Sequence, residues 1–265
     1  MRSERVIYYS DPLTDDFAEM NIRTREVGPE YPFVRSGLLW KLFAFLLYYF
    51  IAVPLVFLIS KLYLGLRIEN REALRQLSGT GYFLYGNHTR ALDAFLPAMA
   101  AFPKKAYVVS NPDAVSLPGL GWLVMMLGGI PIPNKFSGMR KFMDAVSRRC
   151  REGSCVAIFP EAHIWPFYTG IRPFSDTSFR YPVKENLPVV AMVTTYRRRK
   201  GLFRFLRPGM TVTLSEPIYH RRDLSAKQAQ EDLRRQVYDF MVETAASREN
   251  IAYIQYQPKP QSPEP

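Results

Sequence analysis

The residues best suited to chemistry are His88 and Asp93, in the stretch Gly86-Asn87-His88-Thr89-Arg90-Ala91-Leu92-Asp93. A histidine whose Nδ1 proton is held by a carboxylate is fixed in one tautomer, which leaves Nε2 to take a proton from a hydroxyl. This is the histidine-carboxylate half of a nucleophilic triad with no serine supplied by the protein, so the nucleophile would be the substrate's own alcohol. A plainer role fits the same spacing, because Asp93 also stands where a carboxylate caps the start of a helix.

The surrounding elements must bring such groups together. Tyr82-Phe83-Leu84-Tyr85 reads as a buried strand and Ala91 onward as a helix, which makes the His88 stretch a strand-to-helix loop. A second turn, Pro160-Glu161-Ala162-His163, follows the apolar run 155–159. Both turns leave the carboxyl ends of strands, where an open α/β sheet places its crevice. Glu161 would bind a polyol hydroxyl or position a cation such as Arg90; the alternative is a carboxylate at a helix start. Trp165, Phe167 and Tyr168 line a pocket or, more simply, fill the core.

Hydrophobic periodicity predicts strands over 81–85, 106–110, 129–132, 155–159, 189–195 and 211–214. It predicts helices over 91–102, 120–127, 139–151 and 225–246. Alternation of the two implies an α/β fold, a mixed and largely parallel sheet flanked by helices.

Four segments follow from composition: an irregular arm (1–36), a membrane-associating segment (37–65), the α/β domain (66–250) and a disordered tail (251–265). Lys41 and Lys61 bracket nineteen residues without a charge, about one bilayer thickness of helix, interrupted by Pro54. Three arrangements suit this run: a single transmembrane span, a kinked helix lying in one leaflet, or a buried core helix. Either of the first two puts the protein on a membrane, single-pass or monotopic, with the domain on the cytoplasmic face. Cys150 and Cys155 form no disulfide framework, and with three scattered histidines they match no zinc spacing, so the expectation is reduced thiols and no metal.

The chain carries 35 basic against 24 acidic residues, a net charge of +11, which suits an anionic partner. The stretch 196–207, six basic residues interleaved with Leu and Phe, fits anionic headgroups or an acidic carrier protein, or is a solvated hairpin. No nucleic-acid motif accompanies the charge, and a membrane-grade apolar run does, so a nucleic-acid partner is not expected.

Asn87-His88 with Asp93, then Phe159-Pro160-Glu161, then the apolar strand led by Pro188, resemble the glycerolipid acyltransferases, the lysophosphatidate acyltransferase group. The resemblance covers residues 66–217. It implies that His88 and Asp93 are catalytic and that Pro160 and Glu161 belong to a motif binding the glycerol phosphate acceptor. Gly128-Gly129-Ile130-Pro131-Ile132 falls where the family has an intermediate motif ending in arginine. This chain departs from the pattern at two places. Ala162-His163-Ile164 replaces the family's Gly-Thr-Arg, and Pro133-Asn134-Lys135 stands where the intermediate arginine is expected. Arg90, Lys135, Arg140, Arg172 and Arg180 are candidate substitutes, with Lys135 and Arg172 nearest the displaced positions; each has a solvated surface charge as its plain alternative.

The implied reaction moves a fatty acyl group from a thioester, on coenzyme A or acyl carrier protein, to a lysophospholipid hydroxyl. It needs no resident cofactor. Backbone N–H groups at the start of the following helix would hold the oxyanion. Asn87, Arg90, Lys135, Pro160, Glu161, His163 and Arg172 make up the expected substrate-binding set, although His163 also suits a packed turn. The competing expectation is a non-catalytic lipid- or carrier-binding protein of the same fold.

Overall fold

The computed structural model describes residues 5–18, 23–201, 205 and 207–260. In chain order the strands are β1 (Arg5–Tyr9), β2 (Arg67–Glu69), β3 (Tyr82–Gly86), β4 (Ala106–Ser110), β5 (Gly129–Pro131), β6 (Cys155–Ile158), β7 (Val189–Arg197), β8 (Gly209–Leu214) and β9 (Ile254–Pro258). Seven of them form one sheet in the order β2-β8-β7-β3-β6-β4-β5. Every neighbouring pair is parallel except β7 with β8, so the sheet is mixed and largely parallel, as its sequence implies.

The central strands β3, β6 and β8 are buried along their whole length. Strands covered on both faces read as unbroken apolar runs rather than as alternation. Their side chains still divide by pleat. Phe83, Tyr85, Val156, Ile158, Ala191 and Val193 enter one core, with Phe142 and Val146 of helix Met139–Arg151 and Leu233 and Val237 of helix Ala226–Ser247. Leu84, Cys155, Ala157, Val190 and Met192 enter the other, with Leu96, Met99 and Ala100 of helix Leu96–Ala101. Ser225 starts the last helix with a capping box: its side chain and that of Gln228 each accept the other's backbone N–H.

The segment predicted as one helix over 91–102 is two. A 3-10 turn, Ala91–Phe95, precedes the α-helix Leu96–Ala101. Pro97 stands in the first turn of the α-helix; lacking an N–H, it cannot donate to the Asp93 carbonyl, so the α pattern does not extend back through Asp93.

The termini depart from expectation. The arm 1–36 contains β1, and the tail 251–265 contains β9; the two pair in parallel, Arg5 with Ile254 through Tyr9 with Pro258. Each is short, and its partner lies at the far end of the chain, which local pattern cannot show. Pro258 closes its strand, where a missing N–H costs little. Residues 261–265 of the expected disordered tail lie outside the described residues.

The apolar run forms a helix, Leu38–Leu62, long and apolar enough to cross a membrane. It is not a core helix: only 17% of its most apolar window is buried, while Leu38, Phe50 and Ile51 are among the exposed side chains. A π-helical stretch, Leu47–Ala52, lies immediately before Pro54 and takes up the disruption the proline causes. Ala44 and Tyr48, one turn apart, face the domain; the Tyr48 hydroxyl accepts the Ala106 N–H at 3.1 Å, and the Tyr49 hydroxyl donates to the Pro103 carbonyl at 2.9 Å.

The basic stretch 196–207 joins the antiparallel strands β7 and β8. Leu202, Phe203, Arg204 and Leu206 of this stretch, expected to meet anionic headgroups or an acidic carrier, or to form a solvated hairpin, lie outside the described residues. Phe205 is exposed.

Candidate active site

β3 and β6 are parallel neighbours, so the loop after Gly86 and the turn after Ile158 leave the same edge of the sheet side by side. Glu161 Oε2 accepts the backbone N–H of His88 at 3.2 Å and ties the two together. The His88 ring stacks on Phe159, centroids 4.5 Å apart. Gly86 makes this approach possible: a Cβ there would meet Met192 Cε at 2.8 Å and Phe159 Cε1 at 3.0 Å.

His88 Nδ1 lies 3.4 Å from Asp93 Oδ2. Asp93 is fully buried, while the His88 side chain keeps 15% of its surface exposed. Asp93 Oδ2 also accepts the N–H groups of Thr89 at 2.6 Å and Arg90 at 2.8 Å. The two readings of Asp93 are therefore both realised: the carboxylate caps the 3-10 turn and, so fixed, faces the imidazole. The contact is longer than a relaxed N–H···O bond, as is common in ligand-free catalytic loops. Among the described residues no group bonds His88 Nε2. Because Thr89 and Arg90 donate to Asp93, their N–H groups are not available as the oxyanion donors expected at this helix start.

Asn87 was expected to touch substrate; its position assigns it another role. Its side chain accepts the Thr194 N–H at 2.8 Å and donates to the Thr194 carbonyl at 3.1 Å, and the residue is 1% exposed. An asparagine amide spans both backbone groups of one residue, so Asn87 extends the β3–β7 pairing past the strand end. Thr89 Oγ1 is 2.6 Å from the Tyr196 hydroxyl, which anchors the loop to β7 a second time. Sequence alone does not single out Tyr196 or Phe159 for these roles; Phe159 was signalled only by its place before Pro160-Glu161.

Glu161 and Arg172 form a buried pair, each side chain 1% exposed, with Arg172 Nε 3.5 Å from Glu161 Oε2. Glu161 Oε1 accepts the Arg172 backbone N–H at 3.1 Å. The Arg172 guanidinium donates to the carbonyls of Glu161 (3.0 Å), Pro12 (3.3 Å) and His163. Arg172 is thus a brace inside the turn rather than an exposed acceptor ligand, and Glu161 positions Arg172 rather than Arg90. The amino-terminal arm closes over this turn: Trp165 Nε1 donates to the Asp15 carbonyl at 2.7 Å, and His163 Nδ1 lies 3.3 Å from Asp16 Oδ2. Trp165 is buried in a ring cluster with Tyr9, Phe17, Tyr168 and Tyr256, which supports its description as core.

The remaining candidates divide. Pro160 lies in the turn itself, where the Ala162 N–H donates to the Phe159 carbonyl at 3.1 Å. Lys135 is exposed and pairs with Glu26 at 2.7 Å, so its charge is met by the arm rather than by the His88 loop. Arg140 is exposed, and Arg180 lies over the ring of its neighbour Tyr181. Arg90 is 8% exposed, within the His88 loop. Among the described residues no three His, Cys, Asp or Glu side chains gather as a metal site would require.

An imidazole with one nitrogen against a buried carboxylate and the other open, at the crevice edge of a sheet, is arranged to take a proton from a bound alcohol. A family model described as Acyltransferase matches residues 65–195, which span both loops. Residues 65–195 thus form an acyltransferase domain. The match runs from just ahead of β2 into β7, and with the fold it bears out the resemblance to the glycerolipid acyltransferases. Among solved structures, the acyltransferase is similar to the Thermotoga maritima 1-acyl-sn-glycerophosphate (LPA) acyltransferase PlsC. The two are 17% identical over 79% of this chain and 99% of that one, with a TM-score of 0.50, a likeness of fold. No curated protein matches the sequence.

Proposed function

We propose that this acyltransferase is membrane-associated and moves a fatty acyl group from a thioester, acyl-CoA or acyl carrier protein, to the free hydroxyl of 1-acylglycerol 3-phosphate, giving phosphatidate. The observation that carries the proposal is the His88–Asp93 pair at 3.4 Å on a loop braced to Glu161. His88 Nε2 takes the acceptor hydroxyl proton as the oxygen attacks the thioester carbon. Asp93 holds the ring and favours the imidazolium that forms. Collapse of the tetrahedral intermediate expels the thiolate, which recovers the proton from His88. The exposed apolar helix Leu38–Leu62 supports placement at a bilayer, where a lysolipid acceptor resides.

The test is direct. Purified protein in detergent is given a panel of lysolipids with a labelled acyl-CoA and a labelled acyl carrier protein, and products are identified by mass. Phosphatidate should form, and His88→Ala should abolish thioester consumption while the circular dichroism spectrum is unchanged. Turnover persisting in that variant would remove His88 as the base.

A further inference from the structure

The Glu161 side of the catalytic loop offers no open cation, since Arg172 is tied to Glu161 and to three carbonyls. Arg90, within the loop itself, is different. Arg90, although 8% exposed, faces no carboxylate within ion-pair distance among the described residues. Its guanidinium lies 5.0 Å from the Phe167 ring centroid and 5.8 Å from that of Tyr63, with Nη1 3.7 Å from Met210 Sδ. Arg207 approaches the same Phe167 ring at 5.7 Å. Arg199 reaches the end of the apolar helix, donating to the carbonyls of Leu62 (3.2 Å) and Tyr63. Neither Arg199 nor Arg207 has an ion-pair partner among the described residues.

The like charges of Arg90 and Arg199 repel one another, and a counter-anion relieves this. The strain is visible on Arg199, whose guanidinium is held below its ordinary pKa by burial first and then by the charge of Arg90. The place matters as much as the charge. The cluster sits where the apolar helix ends, Arg199 bonding the carbonyls of Leu62 and Tyr63, and Arg90 is two residues from His88. Guanidinium groups bind phosphate oxygens in forked pairs, and the ring faces beneath Arg90 and Arg207 hold them in place without neutralising them.

We propose that Arg90, Arg199 and Arg207 form a phosphate-binding site at the junction of the apolar helix and the His88 loop, which holds the phosphate of a substrate reacting at His88. The proposal rests on the acyl-transfer reading for the identity of the reaction, but not for the binding of phosphate. Two substrates carry that group: the acceptor as a phosphomonoester, and the donor through the phosphates of coenzyme A. The site replaces the arginines that the two altered motifs lack.

The experiment uses the full chain in detergent, with Arg199→Gln and Arg207→Gln as charge-neutral variants and Arg90→Lys as one that keeps charge but loses the fork. Inorganic phosphate should raise the melting temperature of the wild type. The variants should need about tenfold more phosphate for the same rise, the loss of one charge-assisted contact. In kinetics, lysophosphatidate is compared with monoacylglycerol and acyl-CoA with acyl-pantetheine, which lacks the nucleotide. A tenfold rise in KM for lysophosphatidate but not monoacylglycerol assigns the site to the acceptor. The same split between acyl-CoA and acyl-pantetheine assigns it to the donor. Unchanged phosphate protection and unchanged KM in all three variants overturn the site. Absence of turnover in the wild type with every substrate pair overturns the acyl-transfer reading alone, and the phosphate titration then decides the site by itself.

Discussion

Glu161 Oε2 lies 3.5 Å from Arg172 Nε, yet burial rather than pairing governs its ionisation. Burial pushes the carboxyl up to about 7, opposed most strongly by the Arg172 charge and then by the backbone N–H groups of His88 and Arg172. Between 4.5, the ordinary value, and 7 the folded chain therefore holds a proton that the unfolded chain has released. The stabilisation is full below 4.5 and is lost as pH rises through 7. Urea midpoints taken from pH 4 to 8.5 should fall across that window, and Glu161→Gln should flatten the fall. Arg172→Met removes the group that favours the ionised form; its cost should be about 3 kcal/mol at pH 8 and smaller at pH 5, where the carboxyl is protonated. A slope identical in wild type and Glu161→Gln would exclude Glu161 as its source.

Asp93 serves a cap and an imidazole through one oxygen, and substitution can separate the two. Asp93→Asn keeps an acceptor for the Thr89 and Arg90 N–H groups but removes the charge that favours an imidazolium at His88. It should fold normally and lose at least about 100-fold in kcat, with KM little changed. Asp93→Ala should lose the cap as well, lowering stability by a further ~1 kcal/mol. Melting curves and steady-state kinetics on the two variants check this; equal stability of both would deny the cap, and full turnover by Asp93→Asn would deny the charge.

The sheet and the His88–Asp93 loop are legible in the sequence because their causes are local. An unbroken run such as Val189 to Val193 can be buried on both faces only by a covered central strand, and five-residue spacing from His88 to Asp93 fits a loop closing on itself. What was not legible depends on partners far along the chain. β1 and β9 have no pattern of their own and form because each completes the other. Arg172 resembles any loop arginine until the turn of Glu161 folds back on it, and Asn87 resembles a ligand until Thr194 is seen opposite. In both cases a polar side chain near the chemistry satisfies backbone groups that water can no longer reach.

Asn87 gives a prediction that distinguishes these roles. Asn87→Ala leaves the Thr194 N–H and carbonyl buried without their partner, which should cost about 2 kcal/mol of stability. Because the loop is still held by the Thr89–Tyr196 contact, the KM for the acceptor should stay within about twofold, well under the tenfold that 1.4 kcal/mol of lost binding would give. Denaturant melts and acceptor titrations measure the two quantities separately. A large rise in KM with stability unchanged would restore Asn87 as a substrate ligand.

Gly86 connects packing to catalysis through Phe159. A methyl group at position 86 would press on Met192 Cε and Phe159 Cε1, both ends of side chains that can move, so Gly86→Ala should fold. Phe159, however, is the surface on which the His88 ring stacks, and its displacement carries the imidazole away from Asp93, already 3.4 Å distant. Loss of that alignment should lower kcat about tenfold or more without a matching change in KM. Met192→Ala vacates the nearer of the two contacts, so in the double variant the new methyl has room and Phe159 can return to its place. Recovery of kcat in Gly86→Ala with Met192→Ala, relative to Gly86→Ala alone, would show that the defect travels through packing to His88. If the second substitution restores nothing, or Gly86→Ala retains full turnover, the stacked Phe159 does not set the position of His88.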